Sequence, residues 1–282
     1  MPLHPDPYRA IDRQPDPQHF VTLMETRGRT PSHARLRRRF LRFCGMRPGW
    51  RVLEVGSGSG VLCRDVAAMV GPRGRVTGLE PSRRFVAAAR RLAREHGLDG
   101  RVSFQVGDGA AMNFADARFD CTLAVTVLLH VQNSGAILSE MVRVTRPGGV
   151  VGVQDQDFGT VALHHPDRAL TRRIFDGVAA RMFADAWSGR TLVDRLVGLG
   201  LTRVRLLADI YQDTALVPFT RSLLQGRADN AVRFGLVSRR AAQKWLAESE
   251  RLAAEGRFVF TLNFYGAAGI RPGPIRRSRR SA

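Results

Sequence analysis

The chain has almost no lysine and little cysteine. Lys244 is the one lysine among 44 basic residues in a chain of 282, with 25 acids and a formal charge of +19. So one-sided a use of arginine reads as compositional bias rather than as a set of phosphate contacts. A high positive charge favours polyanions in general but by itself defines no site. The three cysteines, Cys44, Cys63 and Cys121, are scattered and lack CxxC spacing, which excludes a disulfide framework and a zinc site. No metal is expected, and a reducing cytoplasm is the default. No apolar run approaches the roughly 18 to 20 residues of a membrane span. The opening MPLHPDPYRAIDRQPDP lacks the apolar stretch of a secretory signal. What the chain does have is a 44% hydrophobic, 24% charged composition, enough for a sizeable core and incompatible with wholesale disorder.

Pro5, Pro7, Pro15 and Pro17 block regular structure near the start, and residues 1–30 are expected to form a flexible arm. From Pro31 the pattern changes. Leu36, Phe40, Phe43 and Cys44 fall at helical spacing among arginines, predicting an amphipathic helix over 31–45. Residues 31–270 then read as a single domain, and the arginine-rich tail 271–282 as disordered.

Within that domain short apolar runs alternate with helical patterns. Val52–Val55 is a strand, Gly56-Ser-Gly-Ser-Gly60 a turn and 61–70 a helix. Arg75–Leu79 is a second strand closing on Glu80, and Pro81-Ser82 opens a helix ended by Gly97. Val102–Val106 is a third strand, closing on Gly107-Asp108. Phe119–Leu128 is a fourth, 135–144 a helix, and Arg146-Pro-Gly-Gly149 turns into a fifth strand, Val150–Val153. Strand–helix alternation with near-continuous apolar strands means a parallel sheet covered on both faces. After Asp157 the alternation lapses. Residues 160–187 and 216–255 read as helical, Val204–Leu207 as a sixth strand and Phe258–Phe264 as a seventh. The expected architecture is α/β: a Rossmann-like, doubly wound, seven-stranded, mostly parallel sheet with helices on both faces, plus a helical lid from 156–201 and 216–255.

A glycine-rich turn between strand and helix lets a ligand approach the backbone and exposes helix N-terminal amides at the carboxyl edge of the sheet. A dinucleotide fingerprint would place its third glycine or alanine at position 61, which is Val61. The spacing here is instead GxGxG, preceded by Glu54. Leu53-Glu-Val-Gly-Ser-Gly-Ser-Gly60 resembles the first motif of class I S-adenosylmethionine-dependent methyltransferases, of the small-molecule kind that includes quinone-precursor C-methyltransferases. The likeness runs over 50–153, through Glu80, Gly107-Asp108, Phe119-Asp120, Leu129-His130 and Arg146-Pro-Gly-Gly149, in order.

The resemblance implies S-adenosylmethionine as cofactor, held by Glu54, Gly56, Ser57, Gly58, Gly60, Glu80, Pro81, Asp108 and Gly109. Physical chemistry agrees with the assignment. A carboxylate at a strand end can accept both ribose hydroxyls, which suits Glu80, and Asp108 can accept from an adenine amino group. Glu54 suits an ammonium or sulfonium.

Methyl transfer asks mainly for in-line placement of an already activated group, with a base added for oxygen or carbon acceptors. His130, Asp155 and Asp157 are the candidates, being just beyond the fourth and fifth strands. His164 and His165 sit in the expected lid, and Tyr211 and Tyr265 read as packing or rim residues. The fourth strand lacks the Asn/Asp-Pro-Pro-aromatic turn of amino-group methylating enzymes. Cys121 has no preceding proline, and its thiol reads as core. The expected acceptor is a small hydrophobic or aromatic metabolite, in a pocket to which Phe158, Phe175, Phe183, Trp187 and Phe219 could contribute. Two alternatives stand beside it: a nucleic-acid methyltransferase using the arginines of 27–51 and 271–280, and a homologue that keeps the cofactor but works as a cyclase or scaffold. The residues do not set an oligomeric state.

Overall fold

A computed structural model describes residues 6–273. A 3-10 turn (Pro7–Arg13) is followed by α1 (Pro17–Arg29) and α2 (Pro31–Phe43). Then come β1 (Arg51–Val55), α3 (Val61–Val70), β2 (Arg75–Glu80), α4 (Arg83–Glu95), β3 (Val102–Val106) and β4 (Phe119–Val125). A short 3-10 turn (Leu128–His130) leads to α5 (Ser134–Val144), β5 (Thr145–Leu163), α6 (Arg168–Met182) and α7 (Ser188–Gly198). The chain continues through β6 (Thr202–Asp213), α8 (Pro218–Arg233), α9 (Arg239–Ala254) and β7 (Phe260–Ile270).

The strands form one sheet in the order β3-β2-β1-β4-β5-β7-β6. The β3-β2-β1-β4-β5 block is parallel, while β7 runs antiparallel to β5 and to β6. This is the doubly wound, mostly parallel sheet that the alternation of patterns predicts. One face is covered by α2, α3 and α4 and the other by α5 and α7, each with its own apolar cluster. A third cluster joins α6, α8 and α9 to the far ends of β5, β6 and β7, whereas α7, expected to belong to the lid, packs on the sheet face. Helix α2 lies very close to the sheet. A Cβ on Gly266 would stand 2.9 Å from the Phe40 ring, and one on Gly152 2.7 Å from Cys44 Sγ.

Several expectations are corrected. Residues 7–13 and 17–29 are helical rather than a flexible arm, because Pro7 and Pro17 occupy first-turn positions where their missing N–H costs nothing. Asp6 and Asp16 cap these turns by accepting the amides of Tyr8 and His19. Residues 1–5 of that arm lie outside the described residues. Strand β5 extends from Thr145 to Leu163, far beyond Val153, because antiparallel β7 keeps pairing with it after parallel β4 has ended. Asp155 and Asp157 therefore lie within the strand rather than after it, and residues 160–163 are extended rather than helical. The sixth and seventh strands are likewise longer than their apolar cores. Of the tail, residues 274–282 lie outside the described residues. Arg271 is ordered, its amide bonded to the Gly149 carbonyl at 3.0 Å and its guanidinium to the Arg143 carbonyl at 2.8 Å.

Candidate functional site

The turn after β1 has a shape that side chains resist. Gly56, Gly58 and Gly60 have φ of +69°, +51° and +80°. A Cβ on Gly56 would fall 2.5 Å from Val127, and one on Gly60 2.6 Å from the Phe104 ring. The amides of Gly56 and Ser57 reach the Leu79 carbonyl at 2.8 and 3.2 Å. The Gly58 amide donates to Glu80 Oε2 at 2.9 Å, and the Ser82 amide to Glu80 Oε1 at 3.1 Å. Glu80 is thus bonded directly to the glycine turn. Burial raises its pKa, and the two amides oppose the shift.

One strand further out, Asp108 is exposed and accepts the Ala110 amide at 2.8 Å. Gly109 beside it is packed so closely that a Cβ would lie 2.7 Å from Val55. Pro81 is exposed at the end of β2. The turn, Glu80 and the Asp108–Gly109 pair therefore sit on the adjacent strands β1, β2 and β3, at one edge of the sheet.

Glu54 lies beneath the turn, buried, and accepts from Cys63 Sγ at 2.9 Å. Burial pushes its pKa up to about 8. It lines a cavity of about 100 Å³ together with Ser57, Arg27, His33, Thr126 and Gln154. Three of these carry side-chain atoms with no hydrogen-bond partner although they are almost wholly buried: Ser57 Oγ, Gln154 Nε2 and both ring nitrogens of His33. Buried polar groups are normally bonded, so a cluster of unsatisfied ones facing a cavity marks a place for a polar ligand. Burial also depresses Arg27, to about 10, and pushes His33 well below the usual histidine range. Arg27 and Glu54 thus line one partly open cavity.

The N-terminal helices roof this edge. Met24 Cε would lie 2.5 Å from a Cβ on Gly58. Glu25 accepts from Ser59 Oγ at 2.7 Å and pairs with Arg64 at 2.7 Å, both residues flanking the glycine turn. Asp12 accepts from Ser82 and from the amides of Arg83 and Arg84 at the start of α4.

Beyond the end of β4, His130 Nδ1 stands 2.6 Å from Asp6 Oδ2. Asp155 accepts from the Leu129 amide (3.1 Å) and Ser188 Oγ (2.7 Å) through Oδ2, while its buried Oδ1 has no partner. Burial pushes Asp155 up to about 6, against those two bonds and the nearby His130. Asp157 differs from both. It is buried and held in a two-pronged pair by Nε and one terminal nitrogen of Arg190 on α7. The rings of Phe158 and Phe183 stack at 4.8 Å, with the buried Arg227 guanidinium 4.4 Å over Phe158 and His130 edge-on to Phe183 at 5.4 Å. His164 bonds the Arg257 carbonyl, and His165 packs on Trp245, both away from this edge. Tyr211 is core and bonds Thr220.

Met24, Arg27, His33, Gln154 and Asp6 are not singled out by the sequence patterns. The one local sign is for Asp6, since Asp-Pro at positions 6–7 and 16–17 is an N-cap followed by a first-turn proline. The others reach the site only through the docking of α1 and α2 and the extension of β5.

A parallel sheet whose first turn is GxGxG, bonded to an acid closing the second strand, defines the class I methyltransferase fold. The comparisons agree. Residues 52–149 match the family model described as a methyltransferase domain. Over that stretch the chain is similar to class I S-adenosylmethionine-dependent methyltransferases. It is 30% identical over 223 residues to an uncharacterized 37.1 kDa protein of a transposon in Streptomyces fradiae, covering 78% of this chain and 62% of that one. A sterol 24-C-methyltransferase of Gibberella zeae is 32% identical over 139 residues, 48% of this chain and 36% of that one. A ubiquinone/menaquinone biosynthesis C-methyltransferase of Pseudomonas aeruginosa is 34% identical over 116 residues, 41% and 45%. The chain thus spans less than two thirds of each of these relatives. Among solved structures, the [4+2]-cyclase SpnF superposes with a TM-score of 0.52 at 23% identity, covering 86% of this chain and 82% of that one. A phosphoethanolamine N-methyltransferase of Haemonchus contortus, in complex with S-adenosylmethionine, gives 0.52 at 17% identity, 85% and 53%. At such identities both show the fold alone.

Proposed function

We propose that this chain transfers a methyl group from S-adenosylmethionine to an oxygen, nitrogen or carbon nucleophile of a small hydrophobic or aromatic metabolite. The observation that carries the reading is the direct bond between the Gly58 amide and Glu80, beside a cavity whose buried polar atoms lack partners. The residues present fit the cofactor. Gly56, Ser57, Gly58 and Gly60 would offer backbone to it once Met24 moves off Gly58, and Glu80 beside Pro81 keeps spare lone pairs for a diol. Asp108 and Gly109 serve the base. A zwitterionic amino-acid group matches a cavity lined by Arg27, Ser57 and Gln154 as well as Glu54. When bound, the cofactor supplies an activated methyl on a sulfonium.

The chain's own groups then position the acceptor and handle its proton. His130 Nε2 is the group we assign as base, with Asp155 as a neighbouring acid that stabilises the imidazolium. Asp157 holds α7 to β5. Phe158, Phe183 and Arg227 form an aromatic, cationic wall beside His130, suited to a flat acceptor. The acceptor reading is preferred to a nucleic acid because three of the five arginines of α2 already have partners within the protein. Arg37 pairs with Asp65 at 2.7 Å, Arg39 with Asp209 at 3.1 Å, and Arg35 bonds the Ile210 carbonyl at 3.0 Å.

The test is in two parts. Titration calorimetry reads cofactor binding, and no heat at millimolar S-adenosylmethionine overturns the reading. Incubation with methyl-labelled cofactor and a metabolite extract, followed by mass spectrometry, reads transfer. Label recovered in a small molecule supports the proposal, and label recovered only in RNA replaces it with the nucleic-acid reading.

A further inference from the structure

We infer that Asp6, at the start of the N-terminal segment, is a positioning residue that fixes His130 as a base at Nε2; the inference rests on the methyl-transfer reading above. The two residues are 124 positions apart and are brought together only by the docking of the N-terminal helices. Asp6 is completely buried, and both of its carboxylate oxygens are engaged. Oδ1 accepts the Tyr8 amide at 3.1 Å, and Oδ2 stands 2.6 Å from His130 Nδ1. An ionised carboxylate has no hydrogen to give, so this bond puts the imidazole proton on Nδ1. Nε2 is left with its lone pair, and among the described residues no group bonds it.

The ring is also held against rotation. Tyr8 lies 5.2 Å from it on one side and Phe183 lies edge-on at 5.4 Å on another. His130 keeps 18% of its side chain exposed while Asp6 keeps none, so the part of the pair that can meet an acceptor belongs to the histidine. When Nε2 takes a proton from the acceptor, Asp6 stays bonded at Nδ1 and holds the ring in place, and the proton leaves later to solvent. This division of labour between an oriented histidine and a buried acid recurs on unrelated folds. Here the acid rides on the same segment whose Asp12 and Glu25 fasten it to α4 and to the glycine turn. The roof over the cofactor cradle and the orientation of the base are therefore one structural unit.

The test compares the full-length protein with Asp6→Asn and Asp6→Ala. Long-range proton–nitrogen spectra of ring-labelled histidine at pH 8 read the tautomer directly and need no acceptor. The wild type should show the proton on Nδ1, and both variants should shift population to the Nε2–H form that free histidine favours. With an acceptor in hand, kcat should fall about 10- to 100-fold, the range seen when an outer partner of a working histidine is lost. The dissociation constant for S-adenosylmethionine should change by less than threefold. Asp6→Glu should recover part of the loss. An unchanged tautomer in folded variants overturns the inference. So does a fall in cofactor affinity that parallels the fall in kcat, because that pattern marks a residue that merely holds the segment down. If the wild type shows the Nδ1–H form but transfers no methyl group to anything, the methyl-transfer reading fails while the Asp6–His130 geometry stands.

Discussion

Glu80 accepts the Gly58 amide at 2.9 Å, so the acid closing β2 is bonded to the glycine turn that follows β1. One side chain therefore shapes the turn and offers its remaining lone pairs at the same edge of the sheet. Glu80→Ala should weaken S-adenosylmethionine binding by about 1–3 kcal/mol, through lost charged hydrogen bonds and a loosened turn. Calorimetry at constant pH reads the change, and unchanged affinity would remove Glu80 from the site.

Glu54 gives the site a pH dependence. With a pKa of about 8 it is mostly protonated at neutral pH in the free protein. A ligand ammonium favours the charged carboxylate, so binding should release a proton. Affinity should therefore rise between pH 6 and 7.5, by at most about tenfold per unit. The heat of binding should vary with the ionisation enthalpy of the buffer. Glu54→Gln should bind more weakly and show neither trend. The same raised pKa makes stability fall as pH climbs from the ordinary carboxylate range to about 8, because over that window the unfolded chain has released a proton that the folded state still holds.

Glu25 links α1 to Ser59 and Arg64. The cavity beneath, about 100 Å³, is smaller than the roughly 300–1,000 Å³ that ligand pockets occupy, so this segment must shift to admit a whole cofactor. Glu25→Ala should cost about 1–3 kcal/mol of local stability by leaving Arg64 without its partner. Hydrogen exchange over 17–29 should speed up, and cofactor association and dissociation should both accelerate. Identical exchange rates would show that the pair does not latch the segment.

His130→Ala should lower turnover by about 10²–10⁴-fold, the typical contribution of a general base, with cofactor affinity little changed. Single-turnover kinetics at saturating cofactor separate the two. Equal turnover would make the histidine structural and leave Asp155, with its pKa of about 6 and its unpartnered Oδ1, as the candidate.

Phe40 is fully buried where α2 meets Gly152 and Gly266. Phe40→Ala should destabilise the fold by about 3–5 kcal/mol, because the glycines have no side chains to fill the space left behind. Chemical denaturation reads this directly, and a change below 1 kcal/mol would mean that α2 is not part of the cooperative core.

Local pattern alone carries the parallel half of this protein. Apolar runs of strand length, glycine and proline stops and the GxGxG spacing give β1 to β3, α3, α4 and α5 nearly to the residue, while β4 stops at Val125, three residues short of the expected Leu128. Each of these elements is decided by its own period and its own caps. The same patterns bring Glu80 and the turn to one edge, because every parallel strand must end there. Tertiary contact decided the rest. Pairing with antiparallel β7 carries β5 on to Leu163 and places Asp155 and Asp157 inside a strand. Arg190 then claims Asp157, a partner 33 residues away that no local spacing announces. Pro7 and Pro17 look like breakers in sequence and become first-turn residues in the fold, where the aspartates before them supply the caps. Asp6 meets His130 only because those helices dock. Short-range periodicity specifies which faces are apolar, whereas the partner of a buried charge is fixed by long-range packing and has no signature of its own in the chain.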